Sequence, residues 1–511
     1  MKKIILLILL ILFITPLSFA YETYYVPTDN SMYIFQIYQN GEKLPEKIEG
    51  YSRGKGSFAQ EHIDTLQQAG IFWSKFIKSS RTTPTIIKVY PMKGVQNAFA
   101  DSKNVKIKDE TYFFTELNAT INDKVIIEKK HDYVAHIGSD LELMGSPFEF
   151  FTSPQPLSYS GLPNFYVIIM HELAHALGIN SKSETQKTAK YGSYGYIKDN
   201  LSIWDSIVRV YNTEKNIEIA PPVNKAFRTS LSKNRLFSDF DIGKYAPYLV
   251  GENIIKILGN DENYSIAKEN IKNNITTIGN GLLNYSSSYD APKLVYGLPI
   301  HPGDDGDAEL SHIELRNSLM SHQDYRNWPI FMEAELAALK DIGYNIDLKK
   351  HFGKSYYLNN LILDNTNGYY ERNADGTAYL IGTPSSVEYG IGLHIYGDNN
   401  KITQKADILS VGAASIGARI DGINNKFILD SNNKICTDGN DSIGLAVTYG
   451  KNHTVNLKSG SEIKANGNNG VAASFDFGRN IMGNVTENQG SYIHQKMNEK
   501  KAKKIFLYLK M

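Results

Sequence analysis

The stretch Phe165-Tyr166-Val167-Ile168-Ile169-Met170-His171-Glu172-Leu173-Ala174-His175-Ala176-Leu177-Gly178-Ile179 indicates the fold of this chain most directly. It is apolar on nearly every side, which predicts a central helix buried all round, capped by Asn164 and closed at Gly178. His171 and His175 are four residues apart, so on a helix they share one face and can bind one cation together. Because burying unpaired polar side chains is costly, a metal site is favoured over structural histidines.

Glu172 directly follows the first of these histidines. In that position a carboxylate lies near a zinc ion without binding it and can take a proton from a zinc-bound water. The expected reaction is attack of the activated water on a peptide carbonyl, with Glu172 acting first as general base and then as general acid. The five-residue pattern alone is moderately specific, since it also occurs by chance on helices whose histidines are structural.

Two ligands do not complete a zinc site, so a third must be found. In the metzincin clan of zinc proteases the chain bends at a glycine, here Gly178, and presents the third ligand three residues later. That position is Ser181, which is not a metal ligand, so the third ligand must come from elsewhere in the chain. His312 is the best candidate because it lies shortly before a possible Met-turn at Met320, and His301 and His322 are the alternatives.

This arrangement resembles the leishmanolysin-like metzincins. In that family a long insertion separates the glycine from the third histidine, and a Met-turn follows closely, as Asn317 to Met320 does here. The resemblance covers residues of about 55 to 345 and implies one zinc ion held by His171, His175 and His312, with endopeptidase activity. It also implies that Met320 forms an apolar floor under the metal without binding it.

Two further features close to His312 in sequence, His322 and an acidic segment, each allow two interpretations. His322 lies where some metzincins carry a tyrosine that stabilises the oxyanion, so it is a candidate donor, with an exposed loop histidine as the alternative. Pro302-Gly303-Asp304-Asp305-Gly306-Asp307 offers oxygen ligands at short spacing that could bind Ca²⁺. It lacks the full twelve-residue calcium-loop pattern, so a solvated turn is the favoured interpretation.

The composition and the N-terminal residues indicate where the protein is expected to be located and which classes of partner are not expected to bind it. The 511 residues carry 54 basic and 54 acidic side chains. The chain therefore lacks the surplus of positive charge that would indicate binding to nucleic acid. Residues 1–20 have a Lys2-Lys3 start, an apolar run and a small-residue cleavage site at Ser18-Phe19-Ala20, which predicts a signal peptide; an uncleaved membrane anchor is the alternative. Cys436 is the only cysteine, which excludes an internal disulfide and a cysteine zinc site and is typical of a bacterial exported chain.

The sequence predicts that the rest of the chain up to residue 350 forms one α+β domain with a long insertion. We expect an N-terminal subdomain over about 21–180, with a mixed sheet backed by a helix from Phe58 to about Lys78. Residues of about 182–300 form an inserted region in which Ile203 to Tyr211 looks helical. The Met-turn and a closing helix, Phe331 to Gly343, occupy 301–350.

From about residue 359 the composition changes to Gly, Asn, Ile and Val, and a repeat of 25 to 28 residues emerges. Its equivalent positions are Ile391, Ile416, Ile443 and Val471, each followed by an Asn/Gly turn. This period predicts a parallel β-solenoid over 359–490, with a β-sandwich as the alternative, followed by a Lys-rich tail at 491–511. The solenoid resembles the passenger stems of bacterial autotransporters, although no run of alternating strands predicts an outer-membrane barrel.

Together these features predict an exported zinc-dependent endopeptidase with an α+β, metzincin-like catalytic domain and an all-β parallel solenoid. The implied partners are protein or peptide substrates and no nucleic acid. The implied location is the cell surface, the outer membrane or the medium of a Gram-negative-type bacterium. A surface adhesin or structural stem with an inactive protease-like domain is the alternative function, and a zinc hydrolase of non-peptide substrates is a third.

Overall fold

The structure is a computed structural model. It describes residues 22–25, 33–39, 42, 52–54, 56–79, 81, 84–93, 98–128, 133–139, 165–188, 192–197, 201–212, 217–219, 245–258, 297–300, 310–313, 315, 318–320, 332–448 and 452–475. Several predicted features fall outside these ranges: the signal peptide, His301, the acidic turn at 302–307, His322 and the Lys-rich tail.

The N-terminal part is built on a mixed sheet. The strands in it are β1 (Glu22–Tyr25), β2 (Tyr33–Ile37), β3 (Ser52–Arg53), β4 (Thr85–Lys93), β5 (Ala98–Asp101) and β8 (Ala135–Ser139), separated in sequence by the small hairpin β6 (Asn104–Lys106) and β7 (Phe113–Thr115). The main order is β1-β2-β4-β8-β5, and β3 pairs with β4. Strands β2, β4 and β8 are parallel, whereas β5 runs antiparallel to β8 at the edge. The expected mixed sheet is therefore present.

Six helices occur in the described part of the chain. They are α1 (Gln60–Phe76), α2 (Glu116–Ile121), α3 (Phe165–Ala176), α4 (Glu252–Leu258), α5 (Glu333–Asp341) and α6 (Leu348–His351). Helix α1 buries residues three to four apart, among them Ile63, Leu66 and Phe76, so one face packs inward. The Trp73 indole N–H of α1 donates to the Met170 carbonyl of α3 over 3.1 Å. Helix α3 is buried on nearly all sides, as its sequence predicts.

The region between α3 and α5 adds short strands. These are β9 (Ser183–Thr188), β10 (Gly192–Ile197), β11 (Val208–Asn212), β12 (Ile217–Ile219), β13 (Tyr245–Leu249) and β14 (Leu298–Pro299). The predicted helix over 203–211 is wrong: a 3₁₀ turn, Asp205–Ile207, leads into β11, which pairs antiparallel with β12 and β13. Pairing with the distant β13 overrides the local helical pattern, as tertiary context often does for residues such as Val208 and Val210.

The C-terminal part consists of parallel strands in three sheets, which is the arrangement of a β-solenoid and not of a sandwich. The sheets contain β15 (Phe352–Tyr356), β17 (Ile391–Ile395), β20 (Ile416–Ile420), β23 (Ile443–Val447) and β26 (Val471–Phe475); β16 (Ile362–Asn365), β18 (Lys401–Gln404), β21 (Lys426–Leu429) and β24 (Thr454–Leu457); and β19 (Ile408–Ser410), β22 (Lys434–Thr437) and β25 (Glu462–Lys464). Ile391 pairs with Ile416, Ile416 with Ile443 and Ile443 with Val471, the register that the repeat predicts. The first coil begins at Phe352, earlier than the expected residue 359.

Asparagines stack at the turns of the solenoid. Asn399 and Asn424 both have a left-handed backbone, with φ of 56°. Asparagine tolerates this conformation better than most residues. The Asn424 amide donates to Asn399 Oδ1 over 3.0 Å, so equivalent side chains of successive coils form a ladder. The repeated Asn/Gly turns of the sequence thus have a direct structural cause.

The solenoid packs against the N-terminal part. In sheet β15-β17-β20-β23-β26, Leu393 belongs to the solenoid's own core, whereas Ile391 and Ile416 belong to the hydrophobic cluster that includes helix α3. The Phe72 ring of α1 lies 5.1 Å from the Tyr389 ring between centroids. The two parts of the described chain therefore share a core, which a freely projecting stem would not have.

None of the described helices is long and apolar enough to cross a membrane.

Candidate metal centre

Helix α3 places His171 and His175 side by side. Their Nε2 atoms lie 3.0 Å apart, as expected for side chains one turn apart on one helical face. His171 is 1 % exposed and His175 is half-buried. The helix therefore aims two imidazole rings at one point from within the hydrophobic core.

His312 reaches the same point from a segment far along the chain. Its Nε2 lies 3.0 Å from that of His171 and 3.2 Å from that of His175. The segment is held on both sides of the ring: the Trp204 indole N–H donates to the Leu310 carbonyl over 2.7 Å, and Ile313 bridges to Ile300. Of the three candidate third ligands, His312 is brought to the pair, and His301 and His322 lie outside the described residues.

The hydrogen bonds of the rings fix which nitrogen faces the centre. His171 Nδ1 lies 2.7 Å from the Leu319 carbonyl oxygen, and His175 Nδ1 lies 2.8 Å from the Ile179 carbonyl oxygen. Because a carbonyl only accepts, each Nδ1 carries the proton and each Nε2 presents a lone pair. This carbonyl support of the outer ring nitrogen is typical of metal-binding histidines.

The spacing of the three Nε2 atoms fits a small tetrahedral cation. Ligand nitrogens at 2.0–2.1 Å from a tetrahedral zinc ion are about 3.3 Å apart. The observed 3.0–3.2 Å separations are close to this value. Three lone pairs converging at this distance repel one another, and one proton can bridge only two of them. The three side chains could therefore hold a metal ion, and their spacing fits one of the size of zinc.

The bend at Gly178 orients His175. Gly178 has φ of +120°, which side chains rarely adopt, and its N–H donates to the His175 carbonyl over 3.0 Å. The Ile179 N–H returns to the Ala174 carbonyl over 3.1 Å, which closes the helix and leaves the Ile179 carbonyl for the His175 ring. The glycine thus determines which carbonyl accepts from the His175 ring.

Ser181 forms hydrogen bonds that hold the segment preceding His312. Its hydroxyl donates to Asp205 Oδ1 over 2.6 Å, and its N–H donates to the Ser311 hydroxyl over 2.9 Å. Asp205 is fully buried and also accepts from the Lys182 N–H and from Ser202. Burial raises the pKa of Asp205, and these hydrogen bonds oppose the rise. Ser181 and Asp205 therefore anchor the residue that precedes His312.

Glu335 holds the turn that contains Met320. Its Oε1 accepts from the Ser318 hydroxyl over 2.6 Å and from the Met320 N–H over 2.9 Å, while Oε2 accepts from the Met332 N–H over 2.8 Å. Burial raises the pKa of Glu335, and the same hydrogen bonds oppose the rise. Met320 is fully buried, and its neighbour Leu319 supports the His171 ring. The fixed turn therefore sets the position of the His171 ring.

Sequence reasoning did not assign roles to Asp205 or Glu335. Glu335 occupies the third position of helix α5 and accepts from the residue before the helix, as a capping glutamate does. That local pattern is the one signal that could have singled it out. Asp205 carries a similar local signal, because Ser202 lies three residues before it and each side chain accepts from the other's backbone N–H. Its contacts with Ser181 and Lys182 have no such signal, because these residues lie more than twenty positions away in sequence.

Glu172 lies on α3 between the face that carries the two histidines and the edge of the sheet. Its side chain is half-buried, and Oε2 accepts from the Ala100 N–H of β5 over 2.9 Å. The carboxylate is therefore fixed by the edge strand and does not join the three histidines as a ligand in the described cluster.

No protein-family model, curated protein or solved structure matches this chain.

Proposed function

We propose that this chain is a zinc-dependent endopeptidase. The observation that carries the proposal is the convergence of three imidazole Nε2 atoms, from His171, His175 and His312, within 3.0–3.2 Å of one another. A carboxylate that is not a ligand, Glu172, follows the first histidine directly. This set provides three neutral ligands, an open fourth position and a base, which is what hydrolysis at zinc requires.

The arrangement around the histidines supports a metzincin-like domain of the leishmanolysin type. A buried helix carries the first two ligands, Gly178 bends the chain after it, and His312 follows a long insertion. A buried turn with Met320 comes shortly afterwards. The mixed sheet, whose edge strand β5 runs antiparallel to β8, lies beside the helix.

The residues have separate tasks in the proposed reaction. Zinc held at the site would supply Lewis acidity and make water acidic near neutral pH. His171, His175 and His312 would hold the ion through Nε2. Glu172 would take the proton from the attacking water and deliver it to the leaving amine. The Ala100 N–H keeps the Glu172 carboxylate oriented between these two transfers.

The edge strand next to Glu172 supports a peptide substrate. Among the described strands, β5 (Ala98–Asp101) pairs only with β8; on its other edge the Ala100 N–H donates to Glu172, and no described strand pairs there. An extended peptide can bind to such an edge through its main chain, which places its carbonyls beside the helix. This supports protein or peptide substrates over small non-peptide ones.

Export is part of the proposal. The leader-like residues 1–20 and the cysteine-poor composition support secretion to the cell surface, the outer membrane or the medium of a Gram-negative-type bacterium. The solenoid would accompany the catalytic domain there.

The proposal is tested by measuring bound zinc and casein cleavage in four proteins. Wild type should bind one zinc ion and cleave casein. Glu172→Gln should keep the zinc and lose cleavage by about 10²–10⁴-fold, because only proton transfer is removed. His312→Ala should lose both. His453→Ala, which changes a half-buried histidine of the solenoid, is the matched control and should match wild type.

Absence of stoichiometric zinc in folded wild type would refute the metal centre. Zinc binding without cleavage of any protein substrate would favour the adhesin or stem alternative. Full zinc affinity in His312→Ala would refute only the third ligand.

A further inference from the structure

A cavity separate from the three-histidine centre lies where helices α1 and α6 meet the first loop of the solenoid. Its volume is about 230 Å³, which is many times the 10–15 Å³ that one water needs. Cationic side chains line it from three segments, and they are Lys75, Lys78, Lys350 and Arg372. Asp347 and Glu371 are the acidic lining residues, so the wall carries a surplus of positive charge.

The two carboxylates already have donors. Glu371 Oε2 accepts from the Ser386 N–H over 2.6 Å and from the Ser386 hydroxyl over 2.7 Å. Asp347 Oδ1 caps helix α6 by accepting from the Lys350 N–H over 3.2 Å. Of the cations, Lys75 pairs with Glu388 outside the cavity wall at 3.0 Å. The charges of Lys78 and Lys350 are therefore the ones available to an incoming anion.

Two buried nitrogens in the wall have no hydrogen-bond partner among the described residues. One is Nδ1 of His351, a side chain that is 3 % exposed, and the other is Nε of Arg372. The rest of the Arg372 guanidinium is fixed, since Nη2 donates to the Gly376 carbonyl and the group lies over the Tyr379 ring. Burying donors without partners is costly, so these nitrogens point to a ligand.

The electrostatic environment of His351 agrees with a cavity of positive potential. Burial, with the charges of Lys350 and Lys78 acting in the same direction, lowers the pKa of His351 to about 3. A ring that is neutral at physiological pH can still donate through one nitrogen. An anion in the cavity would be attracted to both lysines and receive hydrogen bonds from His351 and Arg372.

We propose that this cavity binds a phosphate-type oxyanion, held by Lys78, Lys350, His351 and Arg372. Donors from three separate segments can surround a tetrahedral ion, and an arginine and lysines are the side chains that suit it. Because α6 connects the closing helix α5 to the solenoid, the ion would join the two parts of the molecule. The site is distinct from the three-histidine centre and independent of its function.

Binding is measured by calorimetry of the full chain in chloride buffer, titrated with inorganic phosphate, phosphoserine and acetate. Inorganic phosphate should bind saturably at millimolar concentration or below and raise the unfolding temperature. Binding of phosphate but not phosphoserine identifies the free ion as ligand. Binding of both identifies a phosphoryl group on a larger molecule. Acetate should bind at least tenfold more weakly.

Lys78→Gln and Lys350→Gln should each weaken phosphate binding at least tenfold. Lys458→Gln is the matched control, because it also removes an exposed lysine, one that pairs with Asp430 on the solenoid surface, and should bind as wild type does. In wild type, phosphate should also shift the NMR signal of the His351 ring, a readout that does not depend on any variant folding. No saturable binding to wild type, or equal binding by Lys78→Gln and Lys458→Gln, would refute the site.

Discussion

The Glu335 carboxylate and the Met320 N–H are joined by a buried hydrogen bond of 2.9 Å. Through it, the closing helix of the domain fixes the turn whose Leu319 carbonyl supports the His171 ring. The geometry of the histidine cluster therefore depends on a carboxylate that does not touch it.

Replacing Glu335 with alanine should destabilise the protein by about 3–5 kcal/mol, because it leaves buried donors from Ser318, Met320 and Met332 without an acceptor. Zinc affinity should fall as well, since the turn behind His171 loosens. Urea unfolding and a competitive zinc titration measure the two effects. Glu252→Ala removes an exposed glutamate that pairs with Lys256 and should cost less than about 1 kcal/mol. An equal loss in both variants would contradict the role assigned to Glu335.

Gly178→Ala should cost stability and zinc affinity together. The backbone there has φ of +120°, and an added Cβ would lie 3.1 Å from Ile342 Cδ1. The strain is about 1–3 kcal/mol, and relief by a backbone shift would move the Ile179 carbonyl away from His175. Gly343→Ala is a close control, because its φ is +107° but its Cβ would meet nothing within 4 Å. It should lose stability and retain zinc affinity; loss of zinc affinity in both variants would argue against the Gly178 mechanism.

Arg419→Met should destabilise the whole described molecule. The guanidinium is fully buried and pairs with Asp421 at 2.8 Å, so the substitution leaves a buried carboxylate without its cation. Such a loss costs about 3–5 kcal/mol, against at most about 1 kcal/mol for Lys458→Met in an exposed pair. Calorimetry should show one unfolding transition that moves as a unit, because the solenoid face and helix α3 share a core. Separate transitions for the two parts would contradict this.

Stability should fall in mild acid because of His351. In phosphate-free buffer its pKa is about 3 in the folded chain and about 6.5 when unfolded. Between these values the unfolded chain binds the extra proton, so stability decreases as pH falls through this window. The loss from this residue is about 2 kcal/mol between pH 7 and pH 5. Urea unfolding at the two pH values measures it.

His351→Gln should remove this part of the pH dependence, whereas His453→Gln should retain it. An unchanged slope in His351→Gln would mean that other groups cause the acid sensitivity. Added phosphate should also reduce the slope in wild type, since an anion next to His351 favours its protonated form.

The sequence predicted those features that depend on local periodicity. The spacing of His171 and His175 fixed their shared helical face, and the repeat positions Ile391, Ile416 and Ile443 predicted the parallel register residue by residue. His312 could be selected because its distance to Met320 is short in sequence. Each of these rests on neighbours within a few residues or on one repeating step.

Features that depend on distant partners were not predicted. The segment Val208–Asn212 was predicted to be helical from its local pattern. It is a strand because it pairs with Tyr245–Leu249, which lies far along the chain and leaves no local signal. The role of Asp205 depends on Ser181, and the first solenoid coil at Phe352 precedes a loop that obscures the repeat. Nothing local in the repeat indicates that Ile391 belongs to the same hydrophobic cluster as helix α3 while Leu393 belongs to the solenoid's own cluster.

The shared core has a consequence for the order of events at the ribosome. The segment that contains His171 and His175 is synthesised long before His312, and longer still before Ile416 and Ile443, which belong to the same hydrophobic cluster as helix α3. During synthesis the histidine pair therefore lacks its third member, and helix α3 lacks part of its hydrophobic cluster, until these later segments have been made. The proposed hydrolysis should accordingly begin only after the segment that carries His312 has emerged and packed against helix α3.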